Sequence, residues 1–570
     1  MPHSPGNDEL ADSTDHAPLQ GRNILSGLGR KLCQVRTLTG WRRAATAFGA
    51  GLLSVAAMAP FFAWPVLFLT LPILVWLIDG AATRAATNQP SPPNRRKLAI
   101  EAGVIGWWFG AGYFLAGLFW IGEAFLVDAE RFAWLMPFAV ALMPAGLALF
   151  YGSATAAATL AWRPGLCRVL ALALSLSAAE WLRGHVLTGF PWNVLGYALT
   201  WPLPLMQSAG VLGIYGLTLL AVLVFAVPLV ALTDAAETNR HRAAMASAFL
   251  ALLPLPIGWG YGLVQLGTPP PPVVEGVRLR LVQPSVPQRE KWRPDRQSEI
   301  FYDHIALSQR APDGTVDHMT GITHVIWPEA AMPFLPLNTP VALQAIGDML
   351  ADGTHLLAGA LRADGPIAPD MPRPRAFNSL IAFGPDGQPV AIYDKIHLVP
   401  FGEYLPLRPL LETIGLDKLV AWRGGFSVGT APRQLFAVPG LPPTGALICY
   451  EAIFPGAVIQ SVTRPAALIN VTNDGWFGET TGPHQHFHQA RVRAVEEGLP
   501  LIRVANNGIS GVIDANGRVL ARLELNERGV IDTELPGARP PPPYSRFGDG
   551  LFALLWLAGL SLQISLVRWT

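Results

Sequence analysis

The sequence predicts a polytopic α-helical membrane bundle of eight helices, joined to an α/β domain on the outer face of the membrane. Hydrophobic residues make up 51% of the 570 residues and charged residues only 14%, whereas a typical soluble protein carries roughly 25% charged residues. The deficit of charged residues is found in the first 265 residues and in the last 25. Two proline runs separate these apolar parts from a segment of ordinary composition.

Eight apolar stretches approach the roughly 20 residues that a helix needs to cross a bilayer with its backbone polar groups satisfied internally. Seven lie within residues 45–266, and the eighth lies near the C-terminus. The predicted spans are 45–61, 63–80, 102–122, 132–157, 166–184, 205–233, 242–262 and 548–567. Such a series predicts a bundle that crosses the membrane repeatedly.

Positive charge alternates between the loops, and this alternation predicts the orientation of the bundle, because short cytoplasmic loops collect Lys and Arg. The basic residues of the N-terminal segment, of alternate loops and of the C-terminus are Arg22, Arg30, Lys31, Arg36, Arg42, Arg43, Arg84, Arg95, Arg96, Lys97, Arg163, Arg168, Arg240, Arg242 and Arg568. Both termini are therefore expected in the cytoplasm. Residues 1–44 are expected to form a polar tail without a cleaved signal peptide.

The segment 274–537 is bracketed by GTPPPP at 267–272 and ARPPPPY at 538–544, which are stiff spacers that cannot continue a helix. Within it, short apolar runs alternate with stretches of helical spacing, as in an α/β fold. Strands are predicted at 277–283, 324–327, 355–360, 379–384, 390–394, 446–449, 467–471, 501–505 and 510–514, and helices at 295–310, 340–352, 452–463 and 485–497. This pattern predicts a sizeable sheet core.

Three residues that can carry chemistry stand at the ends of predicted strands, namely Glu329, Lys395 and Cys449. Functional groups tend to lie where strands give way to loops. Each residue alone has a structural explanation, as a helix cap, a surface charge and a small buried side chain. Together, a carboxylate can serve as the base for a thiol, and an ammonium can stabilise both a thiolate and an oxyanion. The combination indicates a nucleophilic site that needs no histidine.

Other kinds of site are disfavoured by composition and spacing. The net charge of +1 provides no basic field for nucleic acid. The cysteines Cys33, Cys167 and Cys449 are too far apart for a disulfide framework or a CxxC metal site, and the first two are expected to have no function. The three histidines at 484–488 lack an acidic ligand beside them, and a helix turns the middle one away from the other two. A structural role is therefore favoured for them over metal binding.

Several motifs resemble known families. WPE at 327–329, DKIHLVPFGEY at 394–404 and CYE at 449–451 resemble the nitrilase, or carbon–nitrogen hydrolase, superfamily. EWLRGHVLTGFPWNVLGY at 180–197 and NDGWFGETTGPHQHFHQARVRA at 473–494 are similar to the apolipoprotein N-acyltransferases. The resemblance extends over nearly the whole chain outside the N-terminal tail.

This resemblance implies a nitrilase-like αββα sandwich in the periplasm. Glu329 would be the general base, Lys395 the oxyanion stabiliser and Cys449 the nucleophile. Auxiliary or substrate-binding roles would fall to Glu403, Tyr450, Glu451 and Trp292. We expect neither a cofactor nor a metal.

The implied reaction transfers an acyl chain in two steps. A membrane phospholipid of the phosphatidylethanolamine type would acylate Cys449 and leave as a lysophospholipid. The N-terminal α-amine of an S-diacylglyceryl-cysteine apolipoprotein would then attack the thioester, in a ping-pong sequence. The protein is expected as a monomer in the bacterial inner membrane, without nucleic acid.

Two other functions remain open from the residues alone. A membrane-tethered amidase or nitrilase would use the same three residues, although eight helices exceed what a tether requires. A transporter with an extracytoplasmic receptor domain generally needs polar groups near the bilayer midplane, and these spans have almost none there.

Several local roles also have alternatives. Glu180 and Arg183 are either functional intramembrane charges or an interfacial pair at the membrane edge. Trp192 either belongs to an aromatic belt or lines the path of the lipid. The apolar stretches 333–338 and 404–416 either pack on the domain core or form a mouth that faces the lipid.

Overall fold

The computed structural model describes residues 34–87, 94–238, 241–365, 374–406, 413 and 425–569. Most of the predicted polar tail and most of the stretch 404–416 lie outside the described residues. The described chain forms a helical bundle and a domain of two β-sheets flanked by helices.

Helices occur at every predicted membrane span, with ends that differ by several residues. They are α1 (Gly40–Ser54), α2 (Leu67–Thr87), α3 (Arg95–Leu118), α4 (Met136–Ala158), α5 (Leu166–His185), α6 (Ala209–Thr238), α7 (His241–Leu252) and α8 (Pro254–Gly267), with a last helix at Gly550–Trp569. Within the described ranges, 6 helical stretches are long and apolar enough to cross a membrane: Trp64–Ala85, Arg95–Leu126, Ala129–Ala161, Ala209–Ala235, His241–Gly267 and Gly550–Arg568.

The other two predicted spans differ from these six. Helix α1 has only 15 residues, which is short for a span. Helix α5 has 20 residues but carries Arg168, Glu180 and Arg183. Most of α5 is buried inside the bundle. Eight membrane-spanning helices therefore remain a prediction.

Small residues allow α1 and α3 to pack backbone against backbone. A Cβ atom at Gly51 would lie 1.8 Å from the carbonyl oxygen of Phe109, and one at Gly112 would lie 2.0 Å from that of Phe48. Any larger side chain at either glycine would force the helices apart, as is common where membrane helices associate through small residues. The apolar sequence of the bundle thus also sets the spacing of its helices.

Each sheet of the α/β domain has six strands, three of which are adjacent and parallel. The strands are β1 (Arg278–Gln283), β2 (His324–Met332), β3 (His355–Asp364), β4 (Arg375–Phe383), β5 (Pro389–Asp394), β6 (Leu435–Phe436), β7 (Thr444–Ile448), β8 (Leu468–Thr472), β9 (Leu501–Ala505), β10 (Ser510–Ile513), β11 (Val519–Leu523) and β12 (Gly529–Glu534). The first sheet has the order β12-β1-β2-β3-β4-β5, and the second has the order β11-β10-β9-β8-β7-β6. Strands β1 to β3 run parallel, as do β7 to β9.

The two sheets pack face to face, with helices on their outer faces. Successive strand residues point to opposite faces, so Ile326 joins Ile448 in the core between the sheets, whereas Val325 points outward. The outer faces are covered by α9 (Gln297–Ser308) and α10 (Pro340–Met349) on the first sheet and by α11 (Thr481–Glu497) on the second. This is the αββα arrangement that the resemblance implied.

One predicted helix is wrong. Residues 452–463 do not form a helix beyond the short 3-10 turn Cys449–Ile453. Pro455 cannot donate a helical hydrogen bond, and Gly456 adopts a φ of +69°, which lies outside the helical region. The predicted nucleophile therefore stands on a tight turn and not at the start of a long helix.

Candidate active site

Glu329 lies where β2 leaves its regular pairing with β3. The register between these strands shifts after Trp327, and Ala330 adopts a φ of +47°. Gly359 stands opposite this irregularity, where a Cβ atom would lie 2.5 Å from the Cα of Glu329. A glycine is required for two backbones to approach so closely. The local sequence thus allows the Glu329 side chain to turn into the interior.

Lys395 directly follows β5, beside Asn378 of the neighbouring strand β4. Its Nζ atom lies 2.9 Å from Glu403 Oε1 and 3.6 Å from Glu329 Oε1. The side-chain amide of Asn378 donates to the same two carboxylates, over 2.8 Å to Glu329 and 2.9 Å to Glu403. All four residues are buried, with at most 9% of their surface exposed. One ammonium and one amide thereby hold together two carboxylates that would otherwise repel each other.

Cys449 ends β7 of the second sheet with a φ of +52°, which is strained for a residue with a side chain. The carboxyl ends of β7, β8 and β9 meet at the same edge of this sheet. The Cys449 carbonyl oxygen lies 3.2 Å from His486 Nε2 and 3.4 Å from Asn470 Nδ2. These contacts hold the strained turn in one orientation.

The charges of Glu329 and Lys395 both act on the Cys449 thiol. Burial raises the pKa of Cys449 and the Glu329 charge raises it further, whereas Lys395 opposes them. Burial lowers the pKa of Lys395, but the carboxylates of Glu403 and Glu329 outweigh this effect and raise it above its ordinary value. The resting site therefore holds a protonated thiol beside a charged ammonium. The three residues predicted at strand ends share one buried pocket.

Glu451 ties the two sheets together close to this pocket. Its carboxylate accepts the backbone N–H of Ile448, over 2.8 Å, and those of Ile396 and His397, over 2.9 and 3.1 Å. Arg433 also donates to it over 3.1 Å. Burial raises the pKa of Glu451, but Arg433 and these hydrogen bonds outweigh burial and lower it. One carboxylate therefore holds both the strand that ends at Cys449 and the loop that follows Lys395.

Glu451→Gln is expected to lower the free energy of unfolding by about 3 kcal/mol. It leaves Arg433 buried without its anionic partner, and the glutamine NH2 group, itself a donor, cannot accept the backbone N–H groups that the carboxylate binds. The denaturation midpoint of the purified protein in detergent measures this loss. Glu299→Gln is the matched control, since Glu299 is exposed on α9, and it should change stability by less than about 0.5 kcal/mol. Equal midpoints for both variants would contradict the role of Glu451.

A buried polar network behind Cys449 was missed from the sequence. His486 Nδ1 lies 2.9 Å from Asp474 Oδ1, and Arg503 Nη2 lies 2.8 Å from Asp474 Oδ2. Burial raises the pKa of Asp474, but Arg503 and His486 hold it well below its usual range. Ligand-type atoms of Cys449, Asp474 and His486 lie within 4.8 Å of one another, yet Asp474 is already paired with Arg503. The middle histidine of the HQHFH run does point away from its neighbours, and it points to the nucleophile.

Lys291 is a second buried cation in the pocket that the sequence did not indicate. Its Nζ donates to the Glu329 carbonyl oxygen over 2.9 Å. Burial lowers the pKa of Lys291 to about 8. It therefore supports the irregular end of β2 at the Glu329 backbone.

Tyr450 and Trp292 lie at the border of the pocket. The Tyr450 hydroxyl donates to the Gly189 carbonyl oxygen of the bundle over 2.9 Å. Trp292 follows the short helix Gln288–Lys291 and is 37% exposed. Of the residues predicted around the triad, Glu403 thus contacts Lys395 directly, Tyr450 and Glu451 support the chain around Cys449, and Trp292 lies nearer the surface.

Comparison with known proteins agrees with this division of the chain. The model of the apolipoprotein N-acyltransferase N-terminal domain matches residues 50–227, and the carbon-nitrogen hydrolase model matches residues 279–539. An apolipoprotein N-acyltransferase of Rhodopseudomonas palustris is 46% identical over 529 residues, covering 93% of this chain and 96% of the relative. The chain belongs to the apolipoprotein N-acyltransferase family.

A further relative of this family is similar to the same degree, and a solved structure is similar only distantly. An apolipoprotein N-acyltransferase of Bradyrhizobium diazoefficiens is 47% identical over 529 residues, covering 92% of this chain and 95% of the relative. A solved mutant amidase of the nitrilase superfamily, from Nesterenkonia AN1, is 19% identical with a TM-score of 0.34, covering 49% of this chain and 98% of that chain. Family membership confirms the predicted resemblance and identifies the protein as an enzyme. The transporter hypothesis is therefore excluded.

Proposed function

We propose that this apolipoprotein N-acyltransferase moves a fatty acyl chain from a phospholipid of the phosphatidylethanolamine type to the N-terminal α-amine of S-diacylglyceryl-cysteine apolipoproteins, through a thioester on Cys449. The observation that carries this proposal is the convergence of a thiol, an ammonium and a carboxylate in one buried pocket that touches the membrane bundle. A site in contact with the membrane bundle suits an acyl donor that stays in the bilayer.

The first half-reaction follows from the charges of the pocket. Because the resting thiol is protonated, its proton must leave as the sulfur attacks the ester carbonyl carbon. Glu329 takes that proton, and Lys395 donates a hydrogen bond to the oxyanion that develops. The tetrahedral intermediate collapses when the ester C–O bond breaks, and Glu329 returns the proton to the departing lysophospholipid oxygen. The products are a thioester and a lysophospholipid.

The second half-reaction uses the same groups in the same order. The α-amine of the lipoprotein attacks the thioester carbon, and Glu329 accepts a proton from the amine nitrogen. Lys395 again stabilises the oxyanion. When the C–S bond breaks, the proton returns to the sulfur, and an amide and a free thiol remain. Glu403 holds Lys395 in place through both halves.

Water must be excluded while the thioester waits, because hydrolysis would turn the transferase into a lipase. Phe334 and Leu337 of the stretch 333–338 pack partly buried against the outer core of the first sheet. This contact favours core packing over a lipid-facing mouth for that stretch. The other candidate, 404–416, lies mostly outside the described residues.

The proposed placement is the bacterial inner membrane, with eight spanning helices, both termini in the cytoplasm and the catalytic domain in the periplasm. Its support is the alternation of basic loops described above. We further propose a monomer, since all the groups that the reaction needs come from one chain.

A labelled donor tests the proposal. Purified protein is incubated with phosphatidylethanolamine that carries a ¹³C-labelled chain at sn-1 and a deuterated chain at sn-2. Mass spectrometry of the peptide around Cys449 should then find a labelled acyl group, whose label shows which chain was transferred, and a synthetic diacylglyceryl-cysteine peptide should remove it. If no acyl group appears on Cys449 while small amides are hydrolysed, the enzyme is the alternative, a membrane-tethered amidase.

A further inference from the structure

Two charged residues of helix α5 are fully enclosed by the bundle. Glu180 is 0% exposed and Arg183 is 1% exposed. Arg183 Nε donates to Glu180 Oε2 over 2.9 Å, and the Tyr151 hydroxyl of α4 donates to Glu180 Oε1 over 2.6 Å. Both side chains are therefore enclosed by protein and do not extend toward water. Burying a charged pair costs desolvation free energy, so we expect this pair to fix a neighbouring segment in a way that apolar side chains could not.

The guanidinium of Arg183 holds the loop that follows α5. This loop, residues 189–193, has the sequence GFPWN. Arg183 Nη1 donates to the carbonyl oxygens of Phe190 and of Trp192, the latter over 2.9 Å. The Phe190 N–H returns a hydrogen bond to the Arg183 carbonyl oxygen over 2.8 Å. Arg183 thus binds two carbonyl oxygens of the 189–193 loop, and the Tyr113 hydroxyl binds a third, that of Asn193, over 2.8 Å.

The same loop touches the chain beside the nucleophile. The Gly189 carbonyl oxygen accepts the Tyr450 hydroxyl over 2.9 Å. The Phe190 and Tyr450 rings stack with centroids 6.4 Å apart. The Trp192 indole N–H donates to Gln485 Oε1 over 2.7 Å, and the next residue, His486, contacts the Cys449 carbonyl oxygen. Two routes therefore connect the loop to the turn at Cys449, one through Tyr450 and one through Gln485 and His486.

We propose that Arg183, oriented by Glu180, is a positioning residue for acyl transfer, which acts on Cys449 from inside the membrane bundle through the 189–193 loop and Tyr450. This inference rests on the function proposed above. Arginine suits this role, because its planar guanidinium group can bind a carboxylate and two carbonyl oxygens at the same time and at fixed angles. A lysine keeps the charge but offers one point of attachment. The bundle therefore contributes to catalysis as well as to membrane insertion.

The test is a double-mutant cycle with Arg183→Lys and Tyr450→Phe. Lysine keeps Glu180 paired, so the protein should fold while the loop loses one of its attachments. Turnover of labelled phospholipid to the acylated peptide should fall about tenfold in each single variant. The KM for phospholipid should change by less than about twofold, because no lipid-facing residue is altered. The double variant should be slower than wild type by clearly less than the product of the two single effects, since both changes weaken contacts of the same loop, although Arg183 also supports the Trp192–Gln485 contact.

Arg168→Lys is the matched control. Arg168 lies on the same helix, is 3% exposed and binds Asp79 and Asp234 instead of the loop. It should lose thermal stability to a similar extent as Arg183→Lys, but its turnover per folded molecule should stay within about twofold of wild type, and its effect should add to that of Tyr450→Phe.

Additive effects of Arg183→Lys and Tyr450→Phe would overturn the inference, as would a turnover defect in Arg168→Lys equal to that of Arg183→Lys. If Arg183→Lys does not fold, Tyr151→Phe replaces it, since it removes only the hydroxyl that orients Glu180. A smaller loss of turnover that is again non-additive with Tyr450→Phe is then expected, and an additive one overturns the inference. Absence of an acyl thioester in the wild-type protein would contradict the proposed function instead, whatever the cycle gives.

Discussion

Cys449→Ser should reduce acyl transfer by about 10³-fold or more, because a serine hydroxyl releases its proton far less readily than a thiol and this pocket already opposes negative charge at that position. The measurement is transfer of labelled acyl chain from phosphatidylethanolamine to a diacylglyceryl-cysteine peptide. The volume and burial of the side chain change little, so the denaturation midpoint should remain close to that of wild type.

Cys167→Ser provides the control for this experiment. Cys167 is a buried free thiol on α5, remote in sequence from every residue of the catalytic pocket. Its replacement should leave transfer within about twofold of wild type. Transfer by Cys449→Ser at a tenth or more of the wild-type rate would remove the thioester from the mechanism.

Glu329→Gln should lower transfer by about 10³-fold, which is the usual contribution of a general base. Glu403→Gln should lower it by about tenfold, because this change weakens one of the two carboxylate contacts of Lys395 and misplaces the ammonium without removing it. Single-turnover formation of the acyl thioester should show the same ranking, since Glu329 is needed to take the thiol proton. The two substitutions are isosteric, so each is the control for the loss of a buried negative charge.

The reverse ranking, with Glu403→Gln slower than Glu329→Gln, would exchange the roles of the two carboxylates. If both variants were as active as wild type, neither carboxylate would be the general base. Both outcomes are read from the same assay, so expression level and detergent do not bias the comparison.

The sequence predicted the functional residues that follow short apolar runs better than those inside such runs, although Glu329 lies within β2, at its irregular end. Glu329, Lys395 and Cys449 each follow an apolar run, and an open position after a strand is a recognisable signal. Asn378 instead lies within β4, which is buried except at Arg375, and its amide bridges two carboxylates from distant parts of the chain. The signal that could have found it is a polar Asn-Ser pair inside an otherwise apolar strand.

Contacts between distant elements explain the other differences. His486 contacts Cys449 across 37 residues, and Arg183 fixes its loop only because the bundle encloses it. Local periodicity carries no information on either arrangement. The incorrect helix at 452–463 had the spacing of a helix, but Pro455 and Gly456 overrode it. By contrast, PDG at 385–387 and DANG at 514–517 have the composition of hairpin turns, and each joins two antiparallel strands, since turn chemistry is local.

Glu329 and Lys395 belong to the first sheet, whereas Cys449 belongs to the second. The proposed base and the proposed nucleophile therefore meet only as long as the two sheets keep their relative position, and the Glu451 carboxylate binds backbone N–H groups from both sides. Sliding of one layer over the other by about an ångström would separate the reacting atoms while each sheet kept all its own hydrogen bonds. Side chains buried between the layers, such as Ile326 and Ile448, help to fix this spacing, so we expect a change in their volume to alter the reaction rate.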